Sequence, residues 1–63
     1  MADDPAAEEQ RRLAHDLRSP LAVIEMLSGV LERDDGLAPE QRADYARRIR
    51  KAAGEIRDLL DRG

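Results

Sequence analysis

One stretch of this chain carries residue types that could do group-transfer chemistry: His15-Asp16-Leu17-Arg18-Ser19-Pro20-Leu21. Imidazole is the side chain most often neutral and nucleophilic near pH 7. A lone histidine on a helix is ordinarily packed or merely solvated, so its neighbours decide what it can do. Asp16 is adjacent, and a carboxylate there can keep one ring nitrogen protonated while the other stays free to attack. Residues i and i+1 do not face each other on a helix, so that contact needs favourable rotamers. Arg18 and Ser19, three and four residues on, share a face with His15 and bring a cation and a hydroxyl beside it. Pro20 removes the backbone hydrogen bond to the carbonyl of Asp16, at a cost of about 3 kcal/mol. It marks a bend one turn past the histidine.

The apolar pattern shows what must position these residues. Asp4-Pro5 reads as an N-cap and first helical residue, with Glu8 and Glu9 suited to the positive helix end. Core positions then recur at 13, 17, 20, 24, 27 and 31, with Leu21, Val23 and Val30 widening the stripe. The pattern stops at Arg33, and Asp34-Asp35-Gly36 supplies a turn. Pro39 suits the start of a second helix, although Ala38 before it is a poor N-cap. In that helix Ala46, Ile49, Ala53, Ile56 and Leu60 form the expected seam, flanked by Tyr45, Ala52 and Leu59. The pairs Asp44–Arg48, Lys51–Glu55, Arg57–Asp61 and Asp58–Arg62 suit exposed faces and add a few tenths of a kcal/mol each.

The predicted organisation is therefore a single all-α unit over 1–63, with helix one at 5–33, a loop at 34–38 and helix two at 39–62. At 1.5 Å per residue the helices are about 43 and 36 Å long, so the short loop folds them back as an antiparallel hairpin. Two helices cannot cover two broad apolar stripes. Pairing of two hairpins into a four-helix bundle does, which predicts a homodimer.

Composition supports this. The chain has 63 residues and no Cys, below the size at which one core supplies enough stability alone. A single His builds no closed metal site, so oligomerisation is the remaining support. Charged residues of both signs make up 40% of the chain, with a net charge of −3. That balance lacks the basic face a nucleic-acid partner needs. The longest apolar run, Leu21–Ile24, is far short of a membrane span, so no direct membrane contact is expected. The acidic start at Met1-Ala2-Asp3-Asp4-Pro5 is unlike a signal peptide. A cytoplasmic location follows, as a free protein or as the cytoplasmic fragment of a membrane-bound receptor. The abrupt end at Asp61-Arg62-Gly63 favours the fragment.

The segment His15–Leu21 resembles the H-box of sensor histidine kinases, usually written His-Glu/Asp-Leu-Arg-Thr-Pro-Leu. Six of the seven positions agree, and Ser19 in place of Thr keeps the hydroxyl. Helix two is similar to that family's apolar frame at Tyr45, Ile49, Ala52, Ala53, Ile56, Leu59 and Leu60, so the likeness covers roughly Gln10 to Arg62. The resemblance implies a dimerisation and histidine-phosphotransfer domain in two-component signalling. His15 would be the phosphoacceptor, Asp16 its acid/base partner, and Ser19 the group that positions water when a partner is dephosphorylated. Pro20 would be a hinge, and Arg18 would act electrostatically.

The resemblance further implies two partners, a histidine kinase catalytic domain that binds ATP and Mg, and a response-regulator receiver domain whose aspartate takes the phosphoryl group. The glycines form no phosphate-binding loop, so no cofactor and no autonomous kinase activity are expected of this chain. Downstream of His15 the outer face runs through Ala22, Met26 and Gly29, a strip expected to dock the receiver. Two other readings stay open. One is a structural dimerisation hairpin with an inert His15, and the other is a module biased towards dephosphorylating the receiver.

Overall fold

The computed structural model describes residues 4–62. Met1–Asp3 and Gly63, which belong to the 1–63 unit read from the sequence, lie outside the described residues. Two helices, α1 over Pro5–Arg33 and α2 over Pro39–Arg62, pack against each other as a hairpin. Its extents of 53 × 19 × 10 Å are those of one layer, two helices wide.

Local chemistry sets the ends. The Asp4 side chain accepts a hydrogen bond from the Ala6 amide at 3.0 Å, and its extended backbone turns into Pro5 at the first helical position. At the other end, the Asp34 amide donates to the Val30 carbonyl at 2.9 Å. The Asp34 carboxylate then accepts from the Gly36 amide at 2.8 Å, an Asx turn that starts the loop. Ala38 has no polar side chain to cap α2. Instead Gln41, three residues on, accepts from the Ala38 amide at 3.0 Å, which is one half of a capping box. The weak cap is thus compensated from inside the helix.

Every expected core position of α1 faces inward, with Pro20 and Leu27 buried and Leu13, Leu17, Ile24 and Leu31 half-buried. The helix runs through Pro20 without interruption. In α2 the seam differs from expectation. The residues turned to α1 are Tyr45, Ile49, Ala52, Ile56 and Leu59, with Ala52 buried, whereas Ala46, Ala53 and Leu60 are exposed. The two lines share Ile49 and Ile56, so one broad stripe offers two registers. A single partner helix occupies one of them, leaving the other edge uncovered.

On α2, Asp44 meets Arg48 at 3.1 Å and Arg47 at 3.4 Å. Among the described residues, Lys51–Glu55, Arg57–Asp61 and Asp58–Arg62 are not within ion-pair distance. Exposed pairs gain little in water and must immobilise long side chains, so their failure to close has little energetic consequence. Among the described residues no helix is long and apolar enough to cross a membrane.

Candidate functional site

His15 stands on the surface of α1 with its side chain 84% exposed. Its Nδ1 lies 3.4 Å from Asp16 Oδ1. An ionised carboxylate only accepts hydrogen bonds, so this contact requires the proton on Nδ1 and leaves the Nε2 lone pair facing solvent. At 3.4 Å it lies beyond the usual N–H···O range, so it biases the tautomer without locking the ring.

Antiparallel packing brings the end of α2 beside this point. A groove of about 430 Å³ is lined by His15, Asp16 and Ser19 from α1 and by Glu55, Asp58, Leu59 and Arg62 from α2. The second-helix residues escaped the sequence reading, which placed them only in stabilising pairs or beside the seam. The missed signal is the cross-helix alignment, which sets residues 15–19 of α1 along one groove with residues 55–62 of α2.

Towards the loop the groove continues past Ser19, Pro20 and Met26, with Arg48, Lys51 and Glu55 on the facing wall. Met26 is 61% exposed. Ala22 and Arg18 are exposed and line neither stretch of this groove. Gly29 is half-buried, and its carbonyl accepts from Arg33 Nε at 3.1 Å. The structure thus brings His15, Asp16 and Ser19 together, places Met26 further along the same side, and leaves Arg18 and Ala22 on open surface.

The two long edges of the hairpin differ chemically. At 100° per residue, His15, Ser19 and Met26 fall within roughly 40° of one another, and Leu21 lies roughly 120–160° round the helix from them. On α2 the same spacing sets Glu55, Asp58 and Arg62 roughly opposite Ala46, Ala53 and Leu60. One edge therefore holds the imidazole and charged groups. The other holds Leu21, 46% exposed, and Leu60, 55% exposed, with Ala46 and Ala53, and the same spacing puts Glu25, Glu32, Arg50 and Arg57 there as well.

A two-helix hairpin built round one solvent-facing imidazole is the kind of scaffold on which a group can be carried in reach of other proteins. Residues 6–62 match the family model described as the His Kinase A (phospho-acceptor) domain, and the chain belongs to that family. It is a phosphoacceptor and dimerisation module of the histidine kinases of two-component signalling. Comparison with curated proteins and with solved structures returned no match.

Proposed function

We propose that this hairpin works as a homodimeric phosphotransfer module with His15 as its acceptor. The observation that carries the reading is an imidazole, 84% exposed, whose Nδ1 meets Asp16 inside a segment matching a phospho-acceptor family. Nε2 attacks the γ-phosphorus of ATP held by a separate catalytic domain, together with its Mg, and the P–O bond to ADP breaks. The phosphoryl group then passes to a receiver-domain aspartate, where a P–O bond forms as the P–N bond breaks. Asp16 holds the Nδ1 proton through both steps and disperses the positive charge that develops on the ring. Arg18 adds a cation near the site. Ser19 orients the water that attacks a phosphorylated receiver, breaking the P–O bond to its aspartate and releasing inorganic phosphate.

Pro20 sits between the acceptor and the strip Ala22, Met26 and Gly29. In this reading the strip docks the receiver, and Pro20 lets α1 bend between signalling states. Exposed Leu21 and Leu60, with Ala46 and Ala53, support pairing of two hairpins into a four-helix bundle, which keeps both histidines on the outside. The module acts in the cytoplasm, where ATP is available.

Native mass spectrometry of the chain, before and after incubation with phosphoramidate, tests both parts. The expected result is a dimer that gains an acid-labile phosphoryl group, absent in His15→Gln. A dimer in which His15→Gln gains the same label would remove the acceptor assignment.

A further inference from the structure

We infer that Arg62 of α2 anchors the phosphoryl group on His15, reaching it across the groove between the helices. This rests on the phosphoacceptor reading of His15 and adds a residue from the opposite helix. Four charged residues line the groove with His15: the acidic Asp16, Glu55 and Asp58, and the basic Arg62. A phosphoryl group adds a charge of about −1.5 to −2 at neutral pH. Placed against three carboxylates it is repelled unless a cation shares the space, and Arg62 is the cation that lines it.

Arg62 is also free to serve. It pairs with neither Asp58 nor Asp61 among the described residues, so its donors are not committed within its own helix. It lines the adjoining space as well, together with Asp16 and Arg12. Arg48 and Lys51 of α2 line only the continuation of the groove towards the loop, and the other nearby cations belong to α1. Arg11 and Arg18 lie at i−4 and i+3 from His15 and line neither space, and Arg12 lines only the adjoining one. A guanidinium presents a planar fork that matches two phosphoryl oxygens, a geometry an ammonium lacks.

Phosphoramidate isolates this step from any catalytic domain. His15 Nε2 gives its lone pair to phosphorus, the donor's P–N bond breaks, and its protonated nitrogen leaves as ammonia. Arg62 exchanges no proton; it holds the transferred oxygens. Phosphohistidine is followed by ³¹P NMR in the wild-type chain, Arg62→Gln, Arg62→Lys and Arg57→Gln. The last makes the same charge change on α2 outside the groove, and circular dichroism checks helicity in each.

Arg62→Gln should slow phosphoryl incorporation three- to tenfold and shorten the phosphohistidine half-life by a similar factor. Arg62→Lys should keep at least half of the wild-type rate, and Arg57→Gln should match wild type. Equal behaviour of Arg62→Gln and Arg57→Gln, whether both are unchanged or both slowed, would overturn the inference. A wild-type chain that gains no phosphoryl group would instead defeat the acceptor reading, and this inference with it.

Discussion

His15 and Asp16, consecutive on α1, meet through Nδ1 and Oδ1 at 3.4 Å. Neighbours on a helix diverge by about 100°, so the contact is made by side-chain rotamers turning towards each other. Both side chains stay largely in water, at 84% and 47% exposure, and the pair therefore adds little to stability. Its consequence is chemical: it biases the ring towards the tautomer that leaves Nε2 free.

Asp16→Asn should accordingly leave the fold intact and impair transfer. An amide cannot stabilise the positive charge on the ring, so phosphorylation by a catalytic domain should fall by about 100-fold, the lower end for loss of a general acid–base partner. The thermal midpoint should stay where it is, as for other exposed substitutions within about 0.5 kcal/mol. Radiolabel transfer and a melting curve on the same sample check both halves.

Leu21 and Leu60 sit on the edge away from His15, 46% and 55% exposed. If two hairpins pair there, each leucine is buried twice per dimer, at roughly 1.5–3 kcal/mol per side chain. Leu21→Glu or Leu60→Glu should weaken dimerisation by at least about 100-fold, read by sedimentation equilibrium. Unchanged sedimentation in both variants would exclude that edge as the dimer face.

Met26 lies two turns beyond Ser19 on the side that carries His15 and is 61% exposed. Met26→Glu should lower the rate of phosphoryl transfer to a receiver by about tenfold, as expected for a contact near 1.4 kcal/mol. Dimerisation and helicity should not change. Wild-type transfer rates in this variant would remove the docking role of the strip.

The start of α2 gives a stability test independent of function. Gln41→Ala removes the bond to the Ala38 amide, seen at 3.0 Å, and should destabilise the hairpin by about 1 kcal/mol. Ala38→Ser adds a capping hydroxyl and should stabilise it by a similar amount. Chemical denaturation at fixed protein concentration measures both.

These positions also show how far the sequence could be read. Helix starts were visible because Asp4-Pro5 and Pro39 impose backbone geometry locally, and the α1 seam because its apolar residues admit one inward line. The α2 seam expected through Ala46, Ala53 and Leu60 is one position out at each of them. Ile49 and Ile56 fit two heptads equally well, and only packing against α1 selects Tyr45, Ala52 and Leu59 over Ala46, Ala53 and Leu60. The site divides in the same way. His15, Asp16 and Ser19 are close in sequence and could be grouped by helical spacing. Glu55, Asp58 and Arg62 join them only through the alignment of two antiparallel helices, which no local pattern encodes. The compensating role of Gln41 was open to notice, since a glutamine three residues after a poor cap is the far half of a known pairing.

The 10 Å thickness of the hairpin has a consequence for how the chain exists at all. A layer one helix deep has no inside, and Leu27, Ala52 and Pro20 are the described residues it buries. Whatever lies against its open edge completes the fold as much as it binds to it. If two hairpins pair along that edge, as proposed, folding and association merge into one event, and the melting temperature becomes a function of how many copies share the solution. Dilution should act on this protein as a denaturant does on others, while any tether that holds two copies together should act as a stabiliser.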